Sequence, residues 1–476
     1  MLPFDWENVY YEGNPVRAPM QNTRELSQEA VQFVSTHAEL IREHNKVSRE
    51  DYQKYDVHRG LRNKDGTGVL AGVTRIGNVR GYYMQDGEKM DMQGQLFYRG
   101  YEISDLVNGF LSEDRSGYEE IAYLLLFGEL PDKASLEVFK RVLSEYRKLP
   151  DEFTEKAILS APSPDVMNKL SRAVLNLYTY DPVPEPNGSL VHELHQAMHL
   201  VARFPVIVAN AYAAKRHYFD NESLVIHMPK PELSAAENFL ASFRTDSSFT
   251  HDEARLLDLC MVLHAEHGGG NNSAFACRVL SSSGTDIYSA IAAAVGALKG
   301  PRHGAANKKV MEQFDYIEQE VKDWKDDEAI SSYIRRALDK QAGDRSGLIY
   351  GMGHAVYTLS DPRAVKLKGL ARELAEKKGM LEEFELIESV ERLTPPIFAQ
   401  YHKRENAMCA NVDMYSGFVY KMLNIPVELY TPLFAIARVA GWCAHRIEEV
   451  YNSNKIMRPA YKAIEHSRKY VAMCDR

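Results

Sequence analysis

Histidine on a glycine-rich loop is the recurring feature of this sequence that could do chemistry. Three clusters carry it: Gly268-Gly269-Gly270 directly after His267; Gly300-Pro301-Arg302-His303-Gly304; and the stretch from Gly343 to Gly353, which His354 closes. Backbone without Cβ can approach a ligand closely and present free amide groups, so each loop can join main-chain donors to an imidazole. His303 precedes a helix expected to begin near Gly304. The positive end of a helix dipole lowers an imidazole's pKa and favours the neutral ring, a donor that is not a strong acid, which suits stabilising an enol. A histidine merely capping that helix is the plain alternative, as a loop histidine bonded to nearby backbone is for His354. Asp413, in Asn411-Val412-Asp413-Met414-Tyr415-Ser416-Gly417, opens a helix, where capping is the ordinary use of aspartate. Arg438 interrupts the largely apolar run F-A-I-A-R-V-A-G-W, and a buried guanidinium calls for an anion such as a dicarboxylate. Arg363 and Arg458, taken singly, read as surface charges.

Metal and nucleotide chemistry find less support. His192, His195 and His199 lie at helical spacing, but no Glu directly follows the first His of an HxxxH pair, as the zinc-hydrolase motif requires. No metal site is expected. In L-I-Y-G-M-G-H-A-V, Val356 occupies the place of the third glycine of a dinucleotide fingerprint, and no G-K-[ST] follows nearby.

The elements that must position these residues are helices. Ser116-Gly117-Tyr118-Glu119 has the pattern of a capping box, with Gly128 and Pro131 stopping the segment. Leu136, Phe139, Leu143 and Tyr146 mark a second helical face. Similar patterns recur at 167–178, 193–217, 232–243, 252–265, 286–298, 305–323, 327–340, 361–379, 381–391, 396–402, 414–423 and 431–450. Short runs at Val69–Ile76 and Tyr82–Met84, broken by Asp86-Gly87 and Gly94, predict the only appreciable strand content. The expectation is an all-α protein with a minor β hairpin near the N-terminus, behind a polar arm over 1–65 marked by turn signals at Asn14-Pro15 and Lys64-Asp65-Gly66.

Composition excludes other classes. The chain has 476 residues, 45% hydrophobic and 26% charged, the balance of an ordinary globular protein. Its 57 basic and 66 acidic side chains give a net charge of −9, a poor match to a phosphate backbone, so no nucleic-acid partner is expected. The five cysteines form no CxxC pair, which fits a reducing compartment. The longest nearly uncharged apolar stretch, Ile287–Leu298, is short of the roughly 20 residues of a membrane span. No signal or transit pattern opens the chain, and cytoplasmic residence is the expectation.

Taken together, these segments resemble the citrate synthase family, most strongly from His264 to Arg458. L-H-A-E-H-G-G-G-N-N-S-A-F resembles its substrate-binding histidine segment, G-P-R-H-G-A-A-N-K-K-V its first catalytic loop and G-M-G-H-A-V-Y-T-L-S-D-P-R its second; N-V-D-M-Y-S-G, L-F-A-I-A-R and I-M-R-P follow in order. The resemblance implies catalytic His303, His354 and Asp413, and oxaloacetate binding by His267, Arg363, Arg438 and, from the partner subunit of a homodimer with shared sites, Arg458. It implies a CoA-facing loop with Gly351 and Gly353, acetyl-CoA as co-substrate, and neither a metal nor a permanently bound cofactor. It also implies a large helical, dimer-forming domain over 66–304 and 425–476 and a smaller mobile helical domain over 305–424. Gly268 stands where the family usually has an acidic residue, and Glu266 where Asp is common. The A-M-C-A segment before Asn411 and the T-L after Tyr357 lack basic residues that some relatives use on CoA phosphates, leaving Lys366, Lys368, Lys403 and Arg404 as nearby alternatives. The implied reaction joins acetyl-CoA to oxaloacetate, giving citrate and CoA. Alternatives are a 2-methylcitrate synthase using propionyl-CoA, an inactive helical interaction protein, and a metal-dependent hydrolase.

Overall fold

A computed structural model describes residues 28, 32, 37, 48–63, 66–86, 88–304, 306–402, 408–452, 455–465 and 467–476. The turn signals at Asn14-Pro15 and Lys64-Asp65, and the basic residues Lys403 and Arg404, lie outside them. The chain divides into two compact units, Met1–Leu70 with Arg458–Arg476, and Ala71–Met457. Residues 305–424, expected to form a smaller domain, lie within the second.

In the first unit, Ser48 and Asp51 form a capping box on the short helix Arg49–Lys54, and the Lys462 ammonium sits 5.5 Å from the Tyr55 ring. Arg458 belongs to this unit and is exposed.

Among its described residues the regular structure of the second unit is helical apart from one three-stranded antiparallel sheet, β1 (Gly77–Gln85), β2 (Glu88–Tyr98) and β3 (Tyr101–Glu102), in that order. The fold class thus matches the sequence expectation, and the run Tyr82–Met84 falls within β1, but the other run expected as a strand does not form one. Val69–Ile76 pairs with nothing in the sheet, and Leu70 and Val73 are 88% and 91% exposed; the ladder starts at Gly77. Leu96 and Tyr98, on one face of β2, are buried, and the Tyr98 hydroxyl lies 3.0 Å from the carbonyls of Val262 and Glu266.

The centre of the core is the packing of helix Leu190–Phe219 on helix Tyr430–Asn452. Leu190–Phe219 is long and apolar enough to cross a membrane by length and composition, exceeding the stretch singled out from sequence. Here 83% of its most apolar window is buried inside the protein. Arg446 and Glu193 pair between these two helices at 3.1 Å.

Local signals were overruled in three places. The Ser116–Glu119 box does not form, because Asp258 takes the amides of Gly117 and Tyr118 at 2.6 and 3.2 Å, while Glu119 turns away to the amide of Ala235 at 2.7 Å. The two segments 381–391 and 396–402 are one helix, Leu381–His402, which passes through Pro395 and Pro396. Two helices lacked a clear periodic signal, Ile103–Ser112 and Asn272–Ser281; the latter is capped by Asn271 inside the glycine-rich segment.

Candidate active site

Two turns of irregular chain are tied together to build the site. Gly353 N donates to Cys409 O at 2.8 Å, Asn411 N to Gly351 O at 2.9 Å, and Asn411 Nδ2 to Gly353 O at 2.9 Å. Gly351 has φ +84°, and a Cβ there would stand 2.9 Å from Met414 Sδ. Gly351 therefore serves close packing against the Asp413 helix, and the Gly353 amide is engaged rather than free.

Beyond Gly353 the chain curls around His354. Its Nδ1 accepts from the amides of Val356 and Tyr357, both at 3.1 Å, so a neutral ring carries its proton on Nε2. Tyr357, which sequence reasoning passed over, stacks on the His354 ring with centroids 4.5 Å apart. Its hydroxyl lies 3.2 Å from His267 Nε2, and the rings of His267 and His354 stand edge to face with centroids 5.2 Å apart. Farther on, Asp361 caps helix Pro362–Lys377 and grips Arg363, with Nε at 3.0 Å and Nη2 at 2.7 Å. Arg363 is 4% exposed and is no surface charge. Asp361 Oδ2 also accepts the Val412 amide at 3.2 Å, joining this loop to the helix Asp413–Met422. Asp413 is not the cap of that helix: Asn411 Oδ1 accepts the Asp413 amide at 3.0 Å, which leaves the Asp413 carboxylate for other work.

His303 lies in the turn before helix Ala306–Glu320, its Nε2 3.1 Å from Ser273 Oγ. Trp442 Nε1 donates to the same oxygen at 3.2 Å, so a hydroxyl from the glycine-rich segment and an indole from the core helix fix the ring. Gly304 is packed so closely that a Cβ would meet Leu298 O at 2.0 Å; Thr431 Oγ1 donates to its carbonyl at 2.8 Å. Behind His267, Glu266 accepts from His445 Nε2 at 2.9 Å, and His445 Nδ1 accepts from Arg278 Nε at 3.1 Å.

Arg438 is 4% exposed; Nε donates to His264 O at 3.0 Å, and among the described residues it has no ion pair. Burial, and then the neighbouring Arg363, push its pKa down to about 10. Burial raises Asp413 to about 6, with Asp361 adding to the rise and Arg363 and Arg438 opposing it. Burial and then Arg438 lower His303 to about 4, which keeps the ring neutral. His267 is held well below its ordinary value by burial, then by Arg363, His354, Arg438 and His303. Those mutual influences place His267, His303, His354, Arg363, Arg438 and Asp413 within one electrostatic neighbourhood, where burial favours the neutral forms of His267, His303 and Asp413.

Other sequence candidates fare differently. Lys366 Nζ donates to Asn108 at 2.8 Å, and Lys368 is held by Glu391 and Glu388 at 2.7 and 3.2 Å. Among the described residues no group of His, Cys, Asp or Glu could hold a metal ion. His195 and His199 instead pack on Tyr146, whose hydroxyl lies 2.6 Å from His195 Nδ1.

A family model of the citrate synthase C-terminal domain matches residues 64–460. A citrate synthase from Synechocystis sp. is 34% identical over 419 residues, covering 87% of this chain and 94% of that protein. 2-Methylcitrate synthase 1 from Corynebacterium glutamicum is 32% identical, over 88% of this chain and 98% of its own. The crystal structure of citrate synthase from Pyrobaculum aerophilum matches with a TM-score of 0.71 at 31% identity, over 88% of this chain and 95% of that one. The enzyme from Thermoplasma acidophilum, in a ternary complex with carboxymethyl coenzyme A and oxaloacetate, matches with a TM-score of 0.71 at 29% identity, over 88% and 99%. With a family domain running through most of its length, the chain belongs to the citrate synthase family.

Proposed function

We propose that this chain condenses acetyl-CoA with oxaloacetate and hydrolyses the resulting thioester, releasing citrate and CoA. The observation that carries the reading is Arg438: a buried guanidinium that among the described residues has no ion pair, beside Arg363, His267 and His303, fits a bound dicarboxylate.

On this reading Arg363 and Arg438 clamp the carboxylates of oxaloacetate and His267 adds a hydrogen bond. His354 points its Nε2 proton at the ketone oxygen, polarising the carbon for attack, a direction set by the two amides on Nδ1. Asp413 removes a methyl proton from the thioester. A carboxylate raised to about 6 is a better base than an ordinary one and is still ionised at neutral pH. His303 donates to the developing enolate oxygen. A pKa of about 4 keeps the ring neutral for that role. No step calls for a metal or a resident cofactor.

The same reading includes a homodimer in which Arg458 of the partner subunit completes the clamp, and a smaller domain over 305–424 that closes on the larger to shield the enol from water. It assigns Gly351 and Gly353 to the CoA-facing loop and places the enzyme in the cytoplasm; the five free cysteines, four of them buried, support a reducing compartment. The test is release of CoA thiol from acetyl-CoA by purified protein, dependent on oxaloacetate; no release overturns the proposal. A 2-methylcitrate synthase activity is the second reading, since the Corynebacterium relative carries that name. One methylene changes binding by only about 1–3 kcal/mol, so kcat/KM for acetyl-CoA against propionyl-CoA decides between them.

A further inference from the structure

The hairpin breaks its own ladder where it meets the substrate loop. Pairing runs from Arg80 with Gln95 to Tyr82 with Asp91, so Gly81 on β1 stands opposite Met92, Gln93 and Gly94 on β2. A bulge of this kind leaves main-chain groups outside the ladder and re-aims them. One short segment takes them up. Thr358 Oγ1 lies 2.6 Å from Gly81 O and 3.4 Å from Met92 O, and Gly94 N donates to Ser360 Oγ at 3.1 Å. The approach requires both glycines. A Cβ on Gly81 would stand 2.3 Å from Val356 O, and one on Gly94 2.1 Å from Ser360 O, and neither backbone oxygen can swing aside.

The docked segment lies between the groups that would hold the substrate. Thr358 follows Tyr357, which stacks on His354 and reaches His267. Ser360 precedes Asp361, which grips Arg363. Outside regular secondary structure, a chain of this length samples many conformations unless something holds it, and ordering it on binding costs affinity.

We propose that Thr358 is a positioning residue for the reaction: with Ser360 it docks into the bulge of the hairpin and fixes the loop in the register where His354, Tyr357 and Arg363 face one ligand. The hairpin thereby sets oxaloacetate affinity without touching oxaloacetate. This rests on the binding roles given above to His354 and Arg363.

The experiment uses the full chain, with calorimetric titration of oxaloacetate, steady-state kinetics and thermal melting for each variant. Thr358→Val keeps the side-chain shape and removes the hydroxyl; it raises Kd and KM for oxaloacetate about tenfold, the effect of one lost hydrogen bond that leaves an acceptor unmet. Thr358→Ser restores both to within about twofold of wild type. Ser360→Ala raises them as well, by removing the second dock. A merely structural threonine would lower the melting temperature and the active fraction with KM unchanged. That result, a Thr358→Val protein that binds as wild type does, or failure of Thr358→Ser to rescue, overturns the proposal. Wild-type protein that does not bind oxaloacetate overturns the functional reading beneath it instead.

Discussion

Asp361 holds Arg363 with both carboxylate oxygens, and one of them also accepts the amide of Val412, the residue before Asp413. One buried carboxylate therefore fixes an anion-binding guanidinium and the start of the helix that carries the proposed base. Remove it, and two functions should fail together.

Asp361→Asn leaves Arg363 buried with a neutral partner. The expected loss is about 3–5 kcal/mol of stability, the range for breaking a buried pair, with a raised KM for oxaloacetate in whatever protein remains folded. Chemical denaturation and kinetics check both; a variant as stable as wild type removes Asp361 from this role.

Asp413→Asn should lower kcat by orders of magnitude while sparing oxaloacetate binding. Its effect on stability has the opposite sign. The Asp413 pKa rises from 3.8 to about 6 on folding, so the folded state holds the proton more tightly than the unfolded state. The stability this gives is complete below the unfolded value and is lost as pH rises through about 6. The neutral amide avoids that loss. Melting temperature should therefore rise on substitution, more at pH 8 than at pH 5. Near wild-type turnover would exclude Asp413 as the base.

The same titration predicts the acid limb of activity. With Asp413 needed as carboxylate, kcat/KM should fall about tenfold per pH unit below about 6 and level off above it. His303, lowered to about 4, adds no inflection between pH 6 and 8. An inflection near 6.5 that disappears in His303→Gln would contradict its assignment as a neutral donor.

Arg438→Leu should damage oxaloacetate binding chiefly, raising KM and abolishing thermal stabilisation by oxaloacetate. In the absence of ligand the variant should lose about 1–3 kcal/mol, the cost of leaving the His264 carbonyl unmet, since among the described residues the guanidinium has no ion pair. Intact ligand-induced stabilisation would show that the dicarboxylate sits elsewhere.

Mixing inactive Asp413→Asn and Arg458→Ala proteins should restore a fraction of activity in heterodimers, because one of the two sites then combines an intact Asp413 with an intact Arg458. No recovery after subunit exchange would count against a shared site.

What the sequence determined by itself was the chemistry and the helical frame. Glycine-rich loops singled out His267, His303 and His354, the interruption of an apolar run singled out Arg438, and the family resemblance added Asp413 and Arg363; the apolar period of about 3.6 located most of the helices, because these signals are local. Only the tertiary structure decided how the site is held. Asp258 replaced the apparent capping box of helix Tyr118–Phe127 from far along the chain. Burial and Arg438 lower the pKa of His303. Tyr357, Ser273, Trp442 and the hairpin bulge became part of the site through contacts between residues remote in sequence. Such partners leave no periodic or motif signal, since a hydrogen bond across the fold depends on where two backbones come to rest and not on the spacing of residues along either one.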